Sequence, residues 1–391
     1  MISVEEALSI IEDNQYCRRP VEVAIENCLN LILAESVFSK IDMPPFRQSA
    51  MDGYAVSIHN SNTYKLIGEI KAGDDPANLT LKSGEAIRIF TGAAVPSSAN
   101  AVVMQEKVIA ESHSITLQEI PIDKKNVRSK GEQIKQGEIA IEKGTLLTPT
   151  VISFLASLGF AKLKVYPKPK VGIVVTGSEL VSPGLPLPNG KIYESNSILL
   201  ATTLQNEGIQ EFSIYKIADD FNKTVDILEK VIAENDFVLI SGGISVGDYD
   251  FTGKALEKLN TEKLFYKIKQ KPGKPLYFGK NNSTHIFALP GNPASAITCF
   301  YLYALPMLRY FSGKKENHLK RSVKELAHNY TVKGSRAQFL KAQYKNDVVS
   351  VLGAQSSAMI HGFNDANCLL VVPENSTEIK KNSKVQVIIL P

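Results

Sequence analysis

Asp52 stands in the segment Ser49-Ala50-Met51-Asp52-Gly53-Tyr54, where small residues flank a single carboxylate and neither the helical nor the strand period fits. The segment reads as a tight turn, with Gly53 free to take a positive φ and Asp52 at its tip. Such a carboxylate either faces an approaching ligand or closes an Asx turn on its own backbone, and the local sequence leaves both open. A second set of residues lies in three turns: Thr176-Gly177-Ser178-Glu179, Ser241-Gly242-Gly243-Ile244-Ser245-Val246-Gly247-Asp248 and Pro290-Gly291-Asn292-Pro293-Ala294-Ser295. Gly242 and Gly243 can present backbone N–H groups without obstruction, and a helix opening after Asn292-Pro293 offers unpaired donors to an anion such as a phosphate. Tight strand-to-helix packing accounts for a Gly-Gly turn about as well. The third set is Lys271-Pro272-Gly273-Lys274-Pro275, with Lys267 and Lys269 just before it. Two prolines stiffen this loop while ammonium groups project from it, which suits an oxyanion; a solvated turn between strands is the plainer alternative. Glu179, Asp219, Asp248 and Asp250 fall near expected strand ends, where carboxylates beside a phosphate imply Mg²⁺ held through one or two of them plus phosphate oxygens.

Other chemistries lack their residues. There is no Gly-x-x-x-x-Gly-Lys-Ser/Thr loop and no Gly-x-Gly-x-x-Gly fingerprint, which weighs against a nucleoside triphosphatase or a dinucleotide oxidoreductase. A net charge of +4 on 391 residues argues against a broad basic surface for nucleic acid. Cys17, Cys28, Cys299 and Cys368 are scattered and the six histidines form no His-x-x-x-His pair, so neither structural zinc nor a disulfide framework is expected. The first residues carry Glu5, Glu6, Glu12 and Asp13 in place of a secretory signal. The most apolar long stretch, 294–308, is interrupted by Ser295, Thr298 and Pro306 and is too short to cross a bilayer. A cytoplasmic protein with no membrane association is the expectation.

The elements that must position these residues follow from periodicity and punctuation. With 44% hydrophobic residues and a mean hydropathy near zero, the chain can bury about two to four separate cores. Ser3 with Glu6 forms a capping box before Val4, Ala7, Leu8 and Ile11 on one helical face, and a second helix is expected over 21–33. From residue 48 the pattern changes to short β runs, such as 86–90 and 101–104, separated by glycines. Thr148, Pro149 and Gly159 mark the start and stop of another helix. Beyond the stiff connector 167–170, the texture becomes that of alternating parallel strands and helices: 171–175, 212–217, 237–240 and 286–289 are apolar runs with helix-length segments between the first three, as in a sheet covered on both faces. In such sheets ligands bind beyond the carboxyl ends of the strands, so the three turns should gather at one edge. After Ser312-Gly313 short strands return. The fold class is therefore multidomain α/β plus β. Its expected parts are an elongated domain from 1–47 and 141–168, a β-rich insert over 48–140, an α/β domain over 169–313 and a small C-terminal β domain over 314–391.

The ordered set of segments resembles the MoeA family, the molybdopterin molybdenumtransferases, whose animal relative is the C-terminal part of gephyrin. The resemblance covers essentially the whole chain. It rests on the turn at 49–56, on Thr91-Gly92-Ala93 with 101–106, and on 176–180, 241–250, 271–275 and 290–295. MogA-like adenylyltransferases share the α/β domain but have a Thr-Gly run in place of Ile244-Ser245-Val246-Gly247 and lack the β insert. The resemblance implies a MogA-like three-layer α/β core with a small C-terminal domain like a β-barrel. It further implies a cytoplasmic homodimer that takes adenylylated molybdopterin and molybdate, releases AMP and leaves molybdenum on the pterin dithiolene, with Mg²⁺ as cofactor. A MogA-like adenylyltransferase and molybdoenzyme acceptors would be its partners. Anhydride cleavage needs charge neutralisation on the phosphates, and molybdate, a tetrahedral dianion, needs donors and cations in a formed pocket.

Carried over by motif, the catalytic set is Asp52 and Thr91 from the insert with Glu179, Asp219, Asp250, Lys267, Lys271 and Lys274 from the α/β domain. Family geometry implies that the two groups meet across the dimer interface. Glu179, Asp219 and Asp250 would hold the metal. Thr176, Gly177, Ser178, Ser241, Gly242, Gly243, Pro290, Gly291, Asn292 and Pro293 would form the substrate pocket, closed by Arg336, Ser356 and Ser357 from the C-terminal domain. One departure stands out: many relatives carry an acid where this chain has Gln133, in Gly131-Glu132-Gln133-Ile134, and Gln supplies no charged metal ligand. Two other readings remain open: a non-catalytic carrier of the cofactor or a gephyrin-like scaffold, and an enzyme handling tungstate, which matches molybdate in shape and charge.

Overall fold

The computed structural model describes residues 1–218, 220–244 and 251–391. The chain divides into two units, one of Met1–Val21, Asn30–Ala34 and Lys164–Pro391, the other of Glu22–Leu29 and Glu35–Leu163.

In the first unit, alternation along the strand Val171–Thr176 sets the architecture. Val171, Ile173 and Val175 enter one core together with helices Val4–Asp13, Asn196–Asn206 and Pro293–Cys299. Val174 points to the opposite core, against helices Phe221–Glu234 and Phe251–Lys258. A sheet buried on both faces between helices gives three layers. The strand order is Phe212–Ile217, Val171–Thr176, Phe237–Ser241, Thr284–Leu289, Tyr277–Asn281 and Glu262–Tyr266. The first four are parallel and the last two add an antiparallel edge. The four parallel strands are the apolar runs read from the sequence. Helix Val4–Asp13 opens with the expected capping box, Ser3 Oγ accepting from Glu6 N and the Glu6 carboxylate from Ser3 N.

Near the C-terminus, the strands Arg321–Leu326, Ala337–Lys345, Val348–Val351, Cys368–Val372 and Lys384–Ile389 pair in a ring and close a five-stranded barrel. Closure removes the free sheet edges. Leu340 and Ala342 fill the barrel, whereas Phe339, on the other face of the same strand, joins the core of the α/β layers. The two-residue strand Gln270–Lys271 adds in parallel to the start of this strand, Gln270 opposite Ala337 and Lys271 opposite Gln338.

The second unit holds a mixed six-stranded sheet in the order Ala101–Met104, Gly53–Val56, Glu85–Ile89, Thr63–Ile70, Ser114–Leu117 and Val108–Ala110. Ala55, Ile87 and Val102 pack on one face, and Tyr54, Val56 and Val103 on the other. Its helix Pro149–Ser157 starts at Thr148, whose hydroxyl accepts from Val151 N, and ends before Gly159 at φ +84°.

Two expectations are corrected. Residues 21–33 form no α-helix: they make the strand Val21–Ala24, a 3₁₀ turn Ile25–Asn27 and the strand Ile32–Leu33. Asn30 takes φ +62°, and Ile32 and Leu33 pair with Tyr166 and Val165, so β pairing overrides a helical reading. Gly53 lies in a strand and does not take a positive φ; glycine is needed there because a Cβ would fall 2.0 Å from the Val103 carbonyl oxygen. No helix among the described residues is long and apolar enough to cross a membrane.

Candidate substrate site at the strand ends

One side chain that sequence reading missed links the carboxyl ends of Phe237–Ser241 and Thr284–Leu289. Asn196, the first residue of its helix, is buried; its Nδ2 donates to Ser241 Oγ (2.7 Å) and to the Gly291 carbonyl (2.7 Å). With Nδ2 committed to two acceptors, Oδ1 is left as an acceptor, and it has no partner among the described residues. The residue before the helix, Ser195, and Asn196 itself look like ordinary capping residues in sequence, so only the fold reveals that the amide is buried.

Gly242 and Gly243 lie at φ +94° and +63°. A Cβ on Gly242 would meet the Thr176 carbonyl oxygen at 2.5 Å, and one on Gly243 would fall 2.4 Å from Thr252 Oγ1 and 2.7 Å from Thr176 Oγ1. Close packing thus explains both glycines. It also leaves the hydroxyls of Thr176 and Thr252, both buried, beside Gly243 and without hydrogen-bond partners among the described residues. Buried polar atoms without partners are uncommon, and a ligand or water that bonds them satisfies the cost of their desolvation. Next to Ile244 a cavity of about 420 Å³ opens, lined also by Lys254, Glu257, Thr261, Lys263, Tyr266 and Tyr277. Burial pushes the Tyr277 phenol up to about 12.

The expected anion-binding helix start behaves differently from its sequence reading. Helix Pro293–Cys299 begins where predicted, but Pro293 has no N–H and the Ala294 N–H donates to the Ser357 carbonyl at 3.1 Å. Asn292 Nδ2 donates to Ser357 Oγ at 3.0 Å. The first available donor is therefore engaged by the barrel domain, and positive charge must come from elsewhere. The lysine loop is fastened to the same helix: Gly273, at φ +86°, lies so close that a Cβ would be 2.3 Å from Cys299 Sγ and 3.7 Å from the Ser295 carbonyl oxygen. Gln270, fully buried, shapes the loop from inside. Its Nε2 donates to the carbonyls of Pro272 (3.0 Å) and Gly273 (3.4 Å), and its Oε1 accepts from Tyr303 Oη. Arg336 Nη1 donates to the Gln270 carbonyl at 3.1 Å. Lys271 and Lys274 are exposed on this braced loop, and Lys267 turns at φ +68° with Nζ 4.7 Å from the Tyr266 ring centroid.

Thus Thr176, Ser241, Gly242, Gly243, Gly291, Asn292 and Ser357 are joined by direct contacts, and Lys271, Lys274 and Arg336 are tied on through Gln270. Glu179 is exposed, its carboxylate folded over Gly177. Ser178 accepts from Lys191 Nζ through its carbonyl, and Ser356 lies at the surface. Asp219, Asp248 and Asp250 lie outside the described residues. Among the described residues no group of three His, Cys, Asp or Glu is placed to hold a metal ion.

In the second unit, Asp52 Oδ1 accepts from Thr91 N (2.6 Å) and Thr91 Oγ1 (2.7 Å). This contact joins the ends of two neighbouring strands and decides against an Asx turn; Ser49 Oγ closes the local turn instead, donating to the Met51 carbonyl at 2.7 Å. The hydrogen bond from Thr91 N, then that from its hydroxyl, holds the Asp52 carboxyl below its ordinary range. Gln133 is exposed, its N–H donating to the Met43 carbonyl.

A three-layer α/β domain flanked by a lysine loop and a small barrel sets the class of protein: residues 172–310 match the family model described as a probable molybdopterin binding domain. Residues 2–159 match the MoeA N-terminal region (domain I and II) and 324–390 the MoeA C-terminal region (domain IV). The chain belongs to the MoeA family of molybdenum cofactor biosynthesis. It is 33% identical to the molybdopterin molybdenumtransferase of Haemophilus influenzae over 99% of this chain and 98% of the relative. It is 32% identical to molybdopterin molybdenumtransferase 2 of Mycobacterium tuberculosis over 99% of each. The crystal structure of a molybdopterin biosynthesis MoeA protein from Pyrococcus horikosii is similar over 100% of this chain and 99% of that one, with 31% identity and a TM-score of 0.83.

Proposed function

We propose that this protein is a molybdenum insertase: it binds adenylylated molybdopterin and molybdate, releases AMP and leaves molybdenum on the pterin dithiolene. The observation that carries the reading is the tie from Asn196 to Ser241 and Gly291, with Thr176 packed against Gly242-Gly243 and three buried polar atoms without partners among the described residues. Asn196 Oδ1 and the hydroxyls of Thr176 and Thr252 suit the polar edge of a pterin or a phosphate, which would satisfy them. Lys271 and Lys274, held on a loop braced by Gln270, suit the oxyanion, because preformed cations stabilise developing negative charge without reorganisation. Asp52, kept ionised by Thr91, is suited to orient water or accept a proton.

The family implies magnesium. An exposed Glu179, its carboxylate folded over Gly177 in the turn after Thr176, fits an ion held by a single carboxylate, waters and substrate phosphates, in place of a protein cage. When bound, it would neutralise charge on the phosphate anhydride. We further propose a cytoplasmic homodimer. The first test is AMP release from adenylylated molybdopterin by the purified protein, with and without molybdate and Mg²⁺, following cofactor formation in the same tube. Molybdate-stimulated AMP release with cofactor formation is expected. Tight binding without turnover would instead identify a carrier or scaffold.

A further inference from the structure

Lys341 belongs to no part of the site described so far. It lies on the barrel strand Ala337–Lys345 and is only 4% exposed, on the Phe339 side of the strand. A buried lysine ordinarily has an acidic partner. This one has none among the described residues: its Nζ donates to two backbone carbonyls, Met359 at 2.9 Å and Ser356 at 3.3 Å, and lies 5.6 Å from the Phe363 ring centroid. Both carbonyls belong to the loop that carries Ser357.

The rest of the loop is built around the same residue. Gln355 clamps the Lys341 backbone, its Oε1 accepting from Lys341 N (3.1 Å) and its Nε2 donating to Lys341 O (2.7 Å) and Leu352 O (2.8 Å). Gly362 passes so near that a Cβ would lie 2.8 Å from the Ala354 carbonyl oxygen and 3.2 Å from Lys341 Cδ. From this anchored loop Ser357 reaches out to Asn292 Nδ2 and Ala294 N at the substrate turn. Five residues earlier on the same chain, Arg336 braces the lysine loop through the Gln270 carbonyl. One strand therefore positions the lysine loop from one end and the serine loop from further along.

We infer that Lys341 is a positioning residue, its buried ammonium pinning the Ser356 and Met359 carbonyls so that Ser357 is preset against the Asn292-Pro293 turn for oxyanion binding. The oxyanion part rests on the insertase reading; the anchoring does not. Charge-assisted hydrogen bonds to carbonyls are stronger than neutral ones, and a loop held in advance does not have to be ordered when the ligand arrives. Desolvation lowers the Lys341 pKa, as expected for an ammonium inside the fold with only carbonyl partners.

The test compares wild type, Lys341→Met, which keeps the buried stem and removes the ammonium, and Lys341→Arg, which restores donors. Hydrogen exchange of the peptide 353–363 and of the Ala294 amide reads the anchoring, and the molybdate dependence of cofactor formation reads its consequence. In Lys341→Met, exchange in both segments should rise about tenfold with the barrel strands unchanged, and the KM for molybdate should rise about tenfold with kcat within about threefold. Lys341→Arg should recover both. If Lys341→Met fails to fold, Lys341→Gln takes its place. Unchanged exchange overturns the anchoring, and faster exchange with an unchanged molybdate KM overturns the role in anion binding. A wild-type protein that binds no molybdate counts against the insertase reading, and the exchange result then decides the anchoring alone.

Discussion

Asp52 and Thr91 are 39 positions apart in sequence, and no local pattern pairs them. The antiparallel register brings them near: Gly53 lies opposite Ile89, so the chain leaving that pair carries Asp52 beside 90–91 where the two strands end. The sequence made Asp52 conspicuous but could not separate a ligand-facing carboxylate from an Asx turn, because the deciding partner comes from another strand. Asp52→Asn retains the acceptor for Thr91 and removes the charge, so turnover should fall at least about tenfold with circular dichroism unchanged. Near-normal turnover would remove Asp52 from the catalytic set. Thr91→Ala should raise the Asp52 pKa toward the ordinary carboxylate value, measured by NMR titration. The sign follows from linkage: with its folded pKa depressed, Asp52 favours the fold above the unfolded pKa, and that contribution disappears as pH falls through the folded one. Thr91→Ala should therefore shrink it.

Elements repeat the lesson in another form. The capping box at Ser3, the helix start at Thr148-Pro149 and the four apolar strands were legible because they are fixed by local chemistry and period. Residues 21–33 were not, because pairing with Val165 and Tyr166 decides them from outside the segment. The antiparallel edge Tyr277–Asn281 and Glu262–Tyr266 also went unread among the parallel strands. Glycines mark where backbones touch. Gly53→Ala would force a Cβ onto the Val103 carbonyl and should destabilise the β sheet of its unit by roughly 3 kcal/mol or more, read by chemical denaturation. Gly243→Ala would push between the Thr176 and Thr252 hydroxyls at an unfavourable φ, and should weaken binding of a pterin ligand by at least about tenfold in calorimetry.

At the scale of the molecule, acid should reveal a histidine that the chemistry does not use. His285 is buried, stacked near Phe237 and Phe278; its Nε2 donates to the Asn14 carbonyl and its Nδ1 has no partner among the described residues. Desolvation lowers its pKa to about 4. The unfolded chain thus binds the extra proton first, so stability is complete above the unfolded value of about 6.5 and declines as pH falls toward 4, by up to about 3 kcal/mol. His285→Phe should flatten that limb of the melting temperature against pH. Fold class at this scale was readable, since changes of texture along the chain separate β-rich stretches from an α/β stretch, and the resemblance supplied the barrel. The closure of the barrel was legible only in outline, because ring pairing depends on strand register and not on composition.

The strand Gln270–Lys271 lies in the α/β part of the sequence yet extends the barrel's hydrogen-bonded ladder at Ala337 and Gln338, and Phe339 on that barrel strand packs into the α/β core. The two parts consequently cannot be exchanged between relatives at the obvious junction near Gly313. A hybrid that imports a foreign barrel there would inherit a ladder end, a core-filling phenyl ring and a Gln270 contact tuned to another host. Recombination within this family should succeed only when the crossover carries the 267–275 loop together with the barrel, which makes the pair, and not the barrel alone, the unit of inheritance.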